Sequence, residues 1–148
     1  MKILSIVALK NYRTFKGVER IMSNLGLTNK DRQKLKDEIK TIMVYQAKMK
    51  KPIYYGELCG KINSFNLSPD DQLLHDILGE ISKESFKMGK GMLSVFAVKK
   101  ETGLPGKGFF SSAMDLGYRI TKWERFAKEQ RDLVHNQYRD RTILTFDD

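Results

Sequence analysis

The carboxylates Asp70, Asp71 and Glu80, followed by Lys83, come nearest in this sequence to a reactive centre. Paired carboxylates can hold a magnesium ion and a lysine can polarise a phosphate, which is nuclease chemistry. All four fall on one predicted helix, however, and Asp70 and Asp71 stand at its start, where capping accounts for them. The two histidines, His75 and His135, lie far apart and show no close ligand spacing such as HExxH, so no metal site is expected. Cys59 has no His or Arg beside it to activate the thiol and reads as a small buried hydrophobe. Gly103-Leu104-Pro105-Gly106-Lys107-Gly108 has the look of a phosphate cradle, yet the Walker spacing GxxxxGK[ST] needs Ser or Thr after Lys107, where Gly108 stands. No catalytic signature is present, and neither metal nor cofactor is predicted.

Charge is more informative. Lys and Arg number 27 against 18 acidic residues, a net charge of +9, which points to a polyanion or an acidic protein surface as partner. Lys83, Lys87, Lys90, Lys99, Lys100 and Lys107 form the cluster expected to follow a DNA or RNA phosphate backbone without reading bases. Tyr54, Tyr55, Phe109 and Phe110 are candidates to stack on a base or grip a partner, although most aromatics belong in a core. The rival expectation is a protein-binding module, for example an inhibitor of a bacterial enzyme. It would make contact through Pro105, Lys107, Phe109 and Phe110, with the positive charge steering encounter.

The elements that must position these residues follow from capping and periodicity. A chain of 148 residues with 41% hydrophobic and 30% charged residues predicts a single soluble domain over 1–148. Residues 1–51 hold an N-terminal segment and a long helix; residues 52–138 hold a core and a C-terminal helix. One cysteine cannot form an internal disulfide, and the start MKILSIVALKNY has too short an apolar run for a membrane span, so a mature cytoplasmic N-terminus is expected. Thr28 with Asp31 reads as a capping box opening a helix whose Leu35, Ile39, Ile42, Met43 and Ala47 share a face, ending near Lys51 before Pro52. IYYGELCGKI at 53–62 reads as a strand entering a short helix with Gly56 at its cap. Ser68 followed by Pro69, Asp70 and Asp71 predicts a helix over Ser68–Met88, with Gly89 or Gly91 left-handed at its end. Its apolar stripe is Leu73, Leu74, Ile77, Leu78 and Ile81, and Gly79 within it marks close packing.

MLSVFAV at 92–98 reads as a buried strand, and the glycines after it, with Phe109 and Phe110 resuming apolar character, predict a projecting hairpin or wide loop, residues 92–110 being the candidate wing. Thr121 to Glu124 reads as a further capping box, opening a helix with Trp123, Phe126, Ala127, Leu133, Val134 and Tyr138 inward. Along it Glu124 and Lys128, Arg125 and Glu129, and Lys128 and Asp132 stand four apart as exposed pairs. The last residues, TILTFDD, suit a strand or a frayed end. This order of helices and hairpin predicts an α+β, mainly helical, winged-helix-like core with a β-hairpin wing and a C-terminal amphipathic helix. Asp70, Asp71, Asp76 and Glu80 crowd the front of the recognition helix, so phosphate contact is expected at its far end and on the wing.

Tyr55-Gly56-Glu57-Leu58, Leu78-Gly79-Glu80-Ile81, Leu93-Ser94-Val95 and the run Thr102 to Phe110, with Trp123 and Glu129 downstream, resemble a family of small bacterial and phage proteins over about residues 52–138. More distantly, YGEL and LGEI at this separation resemble the DNA-binding half of alkylguanine-DNA alkyltransferases and alkyltransferase-like proteins. The resemblance implies a winged helix, and a phage or mobile-element origin would suit host takeover or inhibition of a host defence. The Pro-Cys-His-Arg reactive motif has no counterpart, because MLSVFAV occupies that stretch and Cys59 lies on another element, so alkyl transfer is not implied.

Overall fold

A computed structural model describes residues 28–139, so the expectations for residues 1–27 and for TILTFDD lie outside the described residues. The described residues are mainly helical with one small sheet: α1 (Asn29–Met49), β1 (Ile53–Tyr54), α2 (Tyr55–Lys61), α3 (Gln72–Lys87), a 3-10 turn (Leu93–Phe96), β2 (Ala97–Val98), α4 (Lys107–Asp115) and α5 (Trp123–Tyr138). α1 opens on the expected box: Asp31 N–H donates to Thr28 Oγ1 at 3.1 Å and Thr28 N–H donates to Asp31 Oδ2 at 3.0 Å. Two orphan amides at the helix start are thereby met. The stripe Leu35, Ile39, Met43 and Ala47 is fully buried, each of the larger side chains contributing roughly 1.5–3 kcal/mol from removal of apolar surface from water.

The centre of the core is the 3-10 turn, all four of whose residues are buried between α1, α3 and α5. A buried backbone needs partners for its amides. Ser82 Oγ accepts from Ser94 N–H at 2.8 Å, and Gln130 Oε1 accepts from Met92 N–H at 3.0 Å, so α3 and α5 each lend a buried polar side chain. Gly89 and Gly91, at φ 76° and 81°, both adopt the left-handed conformation that ends α3. At Gly91 a side chain has no room, because a Cβ there would lie 2.9 Å from Val134 Cγ2 and 3.0 Å from Leu133 Cδ2 of α5.

Several local expectations are corrected. Residues 92–110 form no hairpin wing: β2 pairs in parallel with β1, Ile53 opposite Ala97 and Tyr54 opposite Val98, and α2 and α3 form the crossover between them. The stretch 92–98 is buried as expected, but a continuous apolar run does not distinguish a strand from a helical turn, and only its last two residues are extended. Phe109 and Phe110 belong to α4, which Gly106 caps, because Phe109, Phe110 and Ala113 at helical spacing bury one face. The helix expected at Ser68 starts at Gln72; the Asp71 carboxylate accepts from Ser68 N–H at 2.7 Å, folding Ser68–Asp71 into a turn that precedes it. α2 begins at Tyr55, with Gly56 one residue inside it. α5 is capped at Lys122 with no side-chain cap, so the box at Thr121 does not form, and Trp123 is 44% exposed instead of inward.

Candidate nucleic-acid interface

Both strands point their carboxyl ends toward the same place. β1 runs out into Tyr55 and α2, β2 runs out into Lys99 and Lys100, and a cleft of about 730 Å³ opens between these exits. The carboxyl ends of parallel strands are where such sheets leave a crevice for a ligand. Tyr55 and His75 form one wall, their rings 5.1 Å apart. His75 is fixed by its Nε2 at 2.7 Å from Pro69 O. Glu57, Asp70 and Glu101 share the lining with the two lysines, which makes the cleft mixed in charge.

The turn that leads from β2 to α4 is stiff. Lys99 N–H donates to Leu104 O and Gly103 N–H donates to Lys99 O, both at 2.8 Å, while Leu104 N–H donates to Thr102 Oγ1 at 3.1 Å. Gly103, at φ 70°, supplies the left-handed corner. At the far end Gly106 N–H donates to Tyr55 Oη at 2.9 Å, which ties the turn to α2. Burial pushes the Tyr55 phenol above its ordinary pKa, and the Gly106 amide offsets part of that, so it remains a neutral acceptor at pH 7.

On this turn Lys99, Lys100 and Lys107 are exposed, and none of the ion pairs among the described residues engages them. Lys99 and Lys100 line the large cleft; Lys99 and Lys107 line an adjoining groove of about 230 Å³. The other three candidate lysines do not share these cavities. Lys83 lines a separate hollow between α3 and α4 with Glu80 and Asp115. Lys87 is exposed near the end of α3, and the half-buried Lys90 has its Nζ 5.1 Å from the ring centre of Tyr138. Of the four residues expected to meet a protein partner, Lys107 is exposed, Pro105 is buried, and Phe109 and Phe110 are 8% and 2% exposed. Their rings pack at 5.2 Å in a cluster with Phe126 and Trp123, which removes apolar surface from water more effectively than an exposed loop could.

The carboxylates considered for nuclease chemistry have structural partners. Arg32 clasps Glu80 with both guanidinium nitrogens, at 2.9 and 2.6 Å, and Lys36 donates to Glu80 at 3.2 Å and also to Glu84. Burial pushes the Glu80 carboxyl up, but the Arg32 and Lys36 hydrogen bonds and charges outweigh it and hold its pKa below 4.5. Asp71 caps the start of α3, more than two turns before Glu80, and among the described residues no group of three or more metal-ligating side chains comes together. Burial, with Asp71 and Asp70 nearby, pushes the Cys59 thiol up to about 11, so it is no nucleophile at pH 7. His135 holds Ala47 O at 2.8 Å through Nδ1, a bond between α5 and α1. On α5 only the Lys128 and Asp132 pair forms, at 2.9 Å, and Lys50 meets the same carboxylate at 2.9 Å; the hydrogen bonds from Lys50 and Lys128 pull Asp132 down to about 2.

Sequence reasoning missed two features here. Tyr55 was a candidate stacker, and its structural task as acceptor for Gly106 depends on a contact 51 residues away that no local spacing reveals. Trp123 was placed inward by the helix period, and its exposure follows from its standing at the first position of α5. No family, curated protein or solved structure matches this chain. Among the described residues no helix is long and apolar enough to cross a membrane.

Proposed function

We propose that this protein is a non-enzymatic nucleic-acid-binding protein that grips the phosphate backbone through the 99–107 turn. The observation that carries the reading is the presence of three exposed lysines outside any ion pair with the described residues, Lys99 and Lys100 on a turn held by backbone hydrogen bonds and Lys107 just after it at the first position of α4. Fixing the turn lowers the ordering cost of a contact, and unpaired ammonium groups release counterions from the strand when they bind. The net charge of +9 supports the same partner by steering encounter. In this reading the core is winged-helix-like in order: α1, α2 and α3 precede the turn, which stands where a wing would. Lys83, Lys87 and Lys90 are secondary, since Lys83 faces Glu80 and Asp115 and Lys90 covers Tyr138. The engagement of Glu80 by Arg32 and Lys36 and the raised Cys59 thiol support a binding role over a catalytic one.

Three phosphate contacts imply a salt slope near −2.7, so affinity for duplex DNA should fall about 40-fold between about 50 and 200 mM salt. Gel-shift titrations at the two concentrations measure this. The double charge reversal Lys99→Glu, Lys100→Glu should abolish most binding while leaving the melting temperature unchanged, because neither side chain contributes packing. Full retention of affinity in that variant would take the turn out of the interface, and no complex at low salt would overturn the reading altogether.

A further inference from the structure

We propose that the groove beside the 99–107 turn is a base-stacking site for single-stranded nucleic acid, with Trp123 as the platform and Lys99 and Lys107 as its phosphate contacts. The inference rests on the nucleic-acid reading and specifies the form of strand this part of the surface takes. Trp123 is a large apolar side chain left 44% exposed, and one side of it meets the core. Its ring meets that of Phe110 in a T-shaped contact at 4.2 Å and 75°, and Phe110 is itself 2% exposed within the core. The indole is therefore oriented by the interior while much of it remains open to solvent.

The groove that Trp123 lines also has Leu104 and the edges of the largely buried Pro105 and Phe110 in its wall, with two charged residues, Lys99 and Lys107. Both are positive, and among the described residues no carboxylate lines it, in contrast to the large cleft, where Glu57, Asp70 and Glu101 oppose the lysines. Positive charge without a carboxylate, beside a flat exposed ring, complements an unpaired base with its flanking phosphates. The volume, about 230 Å³, falls below the ~300–1,000 Å³ of sites that enclose a whole drug-sized ligand. It suits one planar base inserted from a strand that continues outside. Bases of an intact duplex are already stacked on each other, so their faces are not available to the indole. A strand gripped here would pass Lys99, which the groove shares with the cleft.

Trp123 is the only tryptophan of the chain, so indole emission, excited where the six tyrosines do not absorb, reports on this groove. Titration of the full chain with oligothymidylate should quench that fluorescence in step with binding measured by anisotropy of a labelled strand. An abasic oligonucleotide of equal length, carrying the phosphates without the bases, should bind more weakly and leave the emission unchanged. Trp123→Ala should weaken oligothymidylate binding by about 5-fold to 150-fold, the range that one lost stacking contact gives. Trp123→Phe should recover most of the loss, and duplex affinity should be unaltered in both variants. Binding of oligothymidylate without quenching, equal quenching by the abasic strand, or a Trp123→Ala variant of unchanged affinity would each overturn the stacking site. The broader reading survives those results if duplex binding still depends on Lys99 and Lys100; if neither duplex nor single strand binds at low salt, that reading fails first.

Discussion

The α1–α3 seam and the 99–107 turn are both rich in charge, and they use it in opposite ways. At the seam Glu80 is clasped by Arg32 and Lys36, and Glu84 is met by Lys36, so each charge is spent on holding two helices together. On the turn the backbone is what is bonded, through Leu104, Gly103 and Gly106, and the lysine side chains have no carboxylate within ion-pair distance among the described residues. The difference separates two kinds of charged residue that look alike in a sequence. A charge whose partner comes from a neighbouring helix is an element of stability, and one presented unpaired on a rigid backbone is available to an external partner.

The largest test of this contrast lies behind the seam, at the join of α3 and α5. Gly91→Ala forces a left-handed alanine and drives its Cβ to 2.9 Å from Val134, which should cost about 2–4 kcal/mol. Gly89→Ala has the same left-handed backbone but no atom within 4 Å, so about 1 kcal/mol is expected. Denaturant titration of the two variants separates crowding from backbone strain, and equal losses would show that the α5 contact does not constrain Gly91.

A smaller effect is expected at Glu80. Glu80→Gln should lower stability by about 1 kcal/mol at pH 7, as is usual for a partly exposed ion pair. Because the folded carboxyl is held below its ordinary range, its contribution is present above the range where the unfolded carboxyl titrates and is lost as the pH falls through the lowered folded value. Wild type and variant should therefore converge in melting temperature in acid, and a gap that persists well below pH 4.5 would contradict a charge-based seam. The smallest effect concerns the turn. Tyr55→Phe removes the acceptor for Gly106 N–H and should cost about 0.5–1.5 kcal/mol. It should also weaken strand binding although Tyr55 carries no charge, and amide exchange at Gly106 should quicken; unchanged exchange would mean that the turn holds itself.

The seam side of the molecule was far more legible in the sequence than the turn. Thr28 and Asp31, the stripe Leu35, Ile39, Met43 and Ala47, and the left-handed glycines after α3 are local signals, and each appears where its spacing places it. The Arg32 and Glu80 clasp joins residues 48 apart and has no local signature. Parallel pairing of two-residue strands is equally silent, because neither Ile53–Tyr54 nor Ala97–Val98 is long enough to show alternation. Of the glycines at 103–108 only Gly103 is a turn residue; Gly106 caps α4 and Gly108 lies inside it, and Phe109 and Phe110 face a core to which α5 contributes Phe126. Of the candidate site, Lys99, Lys100 and Lys107 share one turn through proximity in sequence, while Lys83, Lys87 and Lys90 follow α3 away from it.

The contacts of α5 with α1 have a consequence for synthesis on the ribosome. His135 bonds Ala47 across 88 residues and Lys50 meets Asp132, so the first described helix completes its packing only when the last has emerged from the exit tunnel. Until then α3 and the 3-10 turn cover α1 in part, and the side that α5 covers is open to a chaperone or protease. Stalled chains ending before Trp123 should be cleaved within α1 under conditions where the released full-length product resists.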